Sequence, residues 1–139
     1  MSGVVFSGRA SGRQRLSWDD IAALPGTLEH TSSAVAGAGG GAVPAAALVE
    51  IAQPDDDAAF CTVISTDGGY RASIPLSDLL EGGWVAFQAD GRPLPASKGG
   101  PLRLTVAKGR TLCWNVKDVG ELSFTAAKQP DSVPARPKH

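Results

Sequence analysis

The sequence predicts an α+β domain with mixed β-sheets and short helices. Three observations predict it. Apolar, β-branched runs outnumber helical ones and crowd the second half of the chain. Gly 17 and Pro 10 in 139 residues demand many turns, which suits strands better than a helical bundle. The order of elements is strand, helix, strand, helix, then mostly strands. That order has no regular alternation of strand and crossover helix.

The elements follow from local chemistry. GVVFSG at 3–8 is rich in β-branched residues and reads as a first strand. LSWDDIAALPG at 16–26 reads as a short helix. Ser17 is its expected N-cap, Asp19 and Asp20 lie in its first turn, and Pro25-Gly26 ends it. Residues 27–37 look extended, and AGGGA at 38–42 reads as a flexible break. Pro44 opens a second helix over 44–53, closed by Pro54 and the exposed Asp55–Asp57 turn. AAFCTVIST at 58–66 is the most β-prone run and is expected to be a central strand. YRASIPL at 70–76 returns as its hairpin partner. A short helix with Ser77 as cap covers 77–83, and WVAFQA at 84–89 is a strand. Residues 90–97 form a loop, and strands at 101–107, 111–116 and 119–126 complete the sheets. The domain therefore spans 1–127. The tail, 128–139, is polar and carries three prolines, and it is expected to be disordered.

Composition bounds the function. The net charge is −1, so no overall field draws nucleic acid. Arg9, Arg13 and Arg15 read as a solvated hairpin. No apolar run is long enough for a membrane span, and the N-terminus lacks the pattern of a signal peptide, so the expected location is cytoplasmic. Cys61 and Cys113 sit in apolar surroundings and read as buried, inert thiols, with a disulfide between them as the alternative, since two cysteines in a domain of this size make no framework. No zinc spacing, P-loop, dinucleotide fingerprint or nucleophile elbow occurs. Asp55–Asp57 lacks the spaced ligands of a calcium loop, and no metal site is expected. His30 is a lone histidine, and Trp18, Trp84 and Trp114 suit core or pocket walls.

SKGGPLRLTV at 97–106 is the segment with the clearest chemistry. Glycine lets backbone N–H groups approach an anion closely, and arginine matches phosphate geometry with two parallel bonds. Lys98, Gly99, Gly100 and Arg103 are therefore candidates for an anion site. The same residues can equally be a loop entering a strand with Arg103 on its solvent face.

The order of several short motifs resembles one family. AVPAAALVEIA (42–52) is followed by STDGGYRASIPLSDLL (65–80), then by WVAFQADGRPLPASKGGPLRLTV (84–106) and CWNVKDVGELSF (113–124). Together with the opening LSWDDIAALP, this is similar to the molybdopterin-binding domain of the sulfite oxidase family of oxidoreductases, over about residues 3–126. The resemblance implies a sulfite-oxidase-type fold and a molybdopterin cofactor. It implies cofactor contacts from Lys98, Gly99, Gly100, Arg103, Asn115 and Lys117, and it puts Asp67 and Tyr70 at the pocket mouth. The turn at 67–70 carries one glycine more than the family pattern, and a plain hairpin with Tyr70 packed on the sheet is the competing reading.

In active members a cysteine thiolate binds molybdenum some residues before the Val-Pro helix start. The corresponding stretch here, EHTSSAVAGA at 29–38, holds no cysteine. A neutral serine hydroxyl does not replace a soft thiolate. Two readings follow. One is an oxidoreductase-like domain that holds a pterin or another anion without a protein–metal bond. The alternative is a non-catalytic module that keeps the fold to bind a small ligand or a protein.

Overall fold

The structure is a computed structural model that describes residues 3–24, 40–89, 92–106 and 114–130. Its elements in chain order are β1 (Gly3–Gly8), β2 (Arg15–Ser17), α1 (Trp18–Ala22), β3 (Gly40–Pro44), α2 (Ala45–Ala52), β4 (Phe60–Ser65), β5 (Arg71–Pro75), α3 (Leu76–Gly82), β6 (Gly83–Ala89), β7 (Arg92–Pro93), β8 (Arg103–Val106) and β9 (Val119–Thr125). A 3-10 turn, Ala96–Lys98, stands between β7 and β8.

The strands form two sheets. The first runs β2-β1-β9-β4-β5. β1 and β9 are parallel in it, and the other pairs are antiparallel, so the sheet is mixed as expected. The second is built on β6, with β3 along one side and β7 and β8 on the other. One core joins their inner faces and the helices. Phe6, Val63, Ile74 and Phe124 from the first sheet meet Val43, Val85, Phe87 and Leu104 from the second, with Ile21, Leu48 and Leu79 from the helices. A void of about 10 Å³ at its centre has only apolar walls, among them Leu48, Val63 and Leu104. That is at the lower limit for one water, and apolar voids stay dry.

Local chemistry sets the helix ends. Ser17 caps α1 as expected: its Oγ accepts from the Asp20 N–H at 3.1 Å, and the Asp20 carboxylate accepts from the Ser17 N–H at 3.0 Å. That backbone bond, then the Ser17 hydroxyl and the Arg13 guanidinium, hold the Asp20 carboxyl below its ordinary 3.8. A depressed folded value contributes stability above the ordinary one and loses it as pH falls through the folded one. Asp20→Asn is therefore expected to be less stable than wild type at neutral pH. In urea titrations across pH, that gap should close as the pH drops below 3.8.

The C-terminus of α2 is satisfied from outside the helix. The N–H groups of Ser11, Gly12 and Arg13 donate to the carbonyls of Gln53, Ala52 and Ile51. The N-terminal hairpin loop is thereby fixed on α2. Arg9 pairs with Asp57 at 2.9 Å and Arg13 with Asp20 at 3.4 Å, both at the surface.

Several local expectations change. The glycines at 40 and 41 do not break the chain; they begin β3, because β6 offers an antiparallel partner from Gly40 to Pro44, with one register shift between Gly41 and Ala42. Ser77 does not cap α3: Pro75 holds the N-cap position with no side-chain bond, and the helix begins at Leu76. Helix α1 stops at Ala22, with Ala23 as C-cap, and residues 15–17 pair with β1 as strand β2. The expected elements at 27–37, the first half of the strand at 111–116, and residues 131–139 of the tail lie outside the described residues; over 114–116 the expected strand does not form, and Val116 pairs with Leu104 only in an isolated bridge. Within the described part of the tail, the Gln129 N–H donates to Ser73 Oγ at 3.0 Å. Among the described residues, no helix is long and apolar enough to cross a membrane.

Candidate functional site

Strand alternation splits β6 and β8 into two faces. Val85 pairs with Leu104 and both belong to the main core. Their neighbours face the other way: Trp84 pairs with Thr105, and Ala86 with Arg103. Across β6, Ala86 pairs with Ala42 of β3. Ala42, Ala86, Ala89 and Leu94 make a second, smaller buried cluster on this outer face, with Trp84 packed against it. Arg103 is half-buried and thus stands beside a floor of alanines.

The loop leading to Arg103 is tightly wound. The Leu94 N–H donates to the Phe87 carbonyl, which ties the loop to β6. The Gly99 and Gly100 N–H groups donate to the carbonyls of Ala96 and Pro95, each at 3.0 Å, and close the 3-10 turn. Gly99 has φ 87°, the left-handed region that favours glycine. A Cβ there would lie 2.8 Å from Arg103 Cδ and 2.9 Å from Lys117 Cγ. The stems of two cationic side chains therefore meet on the one residue that leaves room for both. Of the predicted contacts, Gly99, Arg103 and Lys117 come together here. Gly100 adjoins them but faces Leu94, whose carbonyl oxygen a Cβ would overlap.

Asn115 has a clear structural role. Its Oδ1 accepts from the Val106 N–H at 2.9 Å and so satisfies the last residue of β8. Beside it, Val116 bridges Leu104 in both directions, and Trp114 is buried in the main core. These bonds bring Lys117 to Gly99. Lys98 ends the 3-10 turn, and its side chain lies outside the described part of the structure.

The turn with Asp67 and Tyr70 holds itself. Asp67 Oδ1 accepts from the Gly69 N–H and from Ser65 Oγ, both at 2.8 Å. Those bonds, the backbone one first, hold its carboxyl below the ordinary range. The Tyr70 N–H donates to Ser65 Oγ, and the half-buried Tyr70 side chain packs against the main core. Thr66 links this turn to the site. Its N–H donates to the Asp118 carbonyl at 2.8 Å, and the Asp118 N–H donates to the Gly99 carbonyl at 2.8 Å. Thr66 and Asp118 carry no motif that the sequence reading could use. The available signal was the residue type of Asp118, since aspartate tolerates the positive φ (50°) found there.

Among the described residues there is no group of three His, Cys, Asp or Glu side chains able to hold a metal ion. Cys61 is a free thiol buried in the main core, and burial pushes its pKa far up. It is inert, as expected. Trp18 donates from Nε1 to the Phe87 carbonyl at 2.7 Å and packs edge-on against that ring. His30 and Cys113 lie outside the described residues.

Fold and site together define an α+β domain: one mixed and one antiparallel sheet over one core, with a glycine–arginine–lysine cluster beside the second sheet. The profile of the oxidoreductase molybdopterin binding domain family matches residues 9–133. The chain belongs to that family. The crystal structure of the sulfane dehydrogenase SoxCD from Paracoccus pantotrophus is similar in fold, with a TM-score of 0.69 and 17% sequence identity. The match covers 91% of this chain and 39% of that one, so the domain here corresponds to well under half of the SoxCD chain. No curated protein matches significantly.

Proposed function

We propose that the domain binds a molybdopterin-type cofactor through its terminal phosphate, with Arg103 and Lys117 as the phosphate contacts and Gly99 as the residue that lets their stems converge. The observation that carries the reading is the convergence of the Arg103 and Lys117 stems on Gly99. A guanidinium fork and an ammonium are the two side chains best suited to phosphoryl oxygens, and Gly99, whose own N–H and carbonyl are bonded within the fold, serves by leaving room for both stems. In this reading Lys98 and Gly100 complete the loop, and Asn115 ties the segment that carries Lys117 to the end of β8. Asp67 and Tyr70 stand at the mouth.

When bound, such a cofactor supplies oxygen-atom or electron-pair transfer at molybdenum, and the protein supplies binding and orientation. The thiolate for the metal does not come from Cys61, which is sealed in the core. That observation favours a second reading, in which the domain binds the pterin or another small anion without turnover. The free buried thiol suits a reducing compartment, and we place the domain in the cytoplasm.

The test is direct. Protein made in a host that synthesises the cofactor is analysed for pterin and molybdenum, and pyrophosphate is titrated into wild type and Arg103→Ala. The expected result is bound pterin, with pyrophosphate affinity reduced at least about tenfold in the variant, the loss of a charge-assisted bond. Absence of pterin together with equal pyrophosphate binding by both proteins would overturn the reading.

A further inference from the structure

We infer that Thr66 and Asp118 form a clamp that sets the position of the Gly99 loop, so that both are positioning residues for the anion site. The inference rests on the phosphate-binding reading of Gly99, Arg103 and Lys117.

The clamp is doubly bonded on one side. Thr66 gives its N–H to the Asp118 carbonyl at 2.8 Å and its hydroxyl to Asp118 Oδ1 at 2.9 Å. Both partners belong to one residue, which fixes the backbone of Asp118 in its left-handed conformation at φ 50°. A non-glycine residue held there needs such over-determination. On the other side the Asp118 N–H donates to the Gly99 carbonyl, and the Val119 N–H to the Leu102 carbonyl, each at 2.8 Å. The left-handed turn at Asp118 also separates two neighbours. Lys117 packs at Gly99, whereas Asp118 lines an open hollow of about 540 Å³ with Arg15, Ser65, Thr66, Pro101 and Glu121. The clamp thus holds the Asp118 carboxylate on Thr66 while Lys117 packs at Gly99.

The contact is close by design of sequence. A Cβ at Gly120 would lie 2.8 Å from Thr66 Cα, so glycine there lets the two loops touch. Thr66 is itself exposed, and its hydroxyl is bonded to Asp118. Removing that hydroxyl leaves the core untouched.

The experiment pairs two readouts on the full chain. Amide hydrogen exchange reports the clamp without any ligand, and pyrophosphate titration reports the site. Thr66→Ala is expected to speed exchange of the Asp118 N–H about tenfold while Cys61 and Val63, in the core strand, keep wild-type protection. It should weaken pyrophosphate about tenfold without a matching fall in melting temperature. Thr66→Ser restores the hydroxyl and should restore both. Asp118→Asn keeps the acceptor and the tolerance of positive φ, and it should resemble wild type. Asp118→Gly keeps only the latter and should resemble Thr66→Ala. Unchanged Asp118 exchange in Thr66→Ala, or failure of serine to rescue, sinks the clamp. Wild-type protein that ignores pyrophosphate while the exchange pattern holds would instead sink the phosphate reading and leave the clamp as a support of the loop.

Discussion

Gly100→Ala is expected to lower the melting temperature by roughly 10 °C, and Gly99→Ala, one residue earlier, to act mainly on binding. The difference lies in what each new methyl would meet. At Gly100 it would run into the Leu94 backbone carbonyl, which is held by the bond between the Leu94 N–H and the Phe87 carbonyl. Backbone fixed on a central strand does not give way, so the overlap costs about 3 kcal/mol, and a domain of this size loses a few degrees per kcal/mol. At Gly99 the methyl would meet the Arg103 and Lys117 side-chain stems, which can move. The positive φ adds about 1–2 kcal/mol of strain for any residue with a Cβ. Moving both cations off the glycine should weaken pyrophosphate binding at least about tenfold. Calorimetric melting and pyrophosphate titration of the two variants separate these outcomes. If Gly99→Ala binds like wild type, the three residues are not one site.

Phe124→Ala carries the largest expected loss of stability. Phe124 is fully buried on β9, between β1 and β4. Its ring lies 6.5 Å from that of Phe6 at a tilted angle. Truncation removes the apolar area of a large side chain and leaves a cavity that β-strands, pinned by hydrogen bonds on both sides, close only in part. Such changes cost about 3–5 kcal/mol. The melting temperature should fall by roughly 10–20 °C. Phe124→Leu keeps most of the volume and should cost far less. A Phe124→Ala protein that melts within a few degrees of wild type would show that the joint between the parallel and antiparallel parts of the sheet is not where the stability resides.

The same strand shows how far the sequence can be read. Runs such as FCTVIS and VGELSFT declare themselves as strands because β-branched and aromatic residues fit a half-buried pleated surface. The pairing of β9 with β1 is not local. It joins residues more than a hundred positions apart, and nothing in either run names the other. The glycine run at 40–41 failed as a guide for a related reason. Intrinsic preference made it a break, but a long antiparallel partner in β6 outweighed that preference. In the candidate site, the reading of Gly99 and Arg103 as an anion site came from residue types alone, and the structure adds the convergence of the Arg103 and Lys117 stems on Gly99. The capping box of Ser17 and Asp20 was legible, since both bonds close within four residues.

What the sequence alone determined is therefore the α+β class, most element positions and the family resemblance that the profile match bears out. Tertiary structure alone decided which residues share the company of the 97–106 segment. It brought Lys117 to Gly99, gave Asn115 a backbone to cap, sealed Cys61 in the core and set Thr66 against Asp118. Each of these depends on the register of strands and loops distant in the chain. Register is fixed by the collective burial of one sheet face, a sum over many residues that no short motif contains.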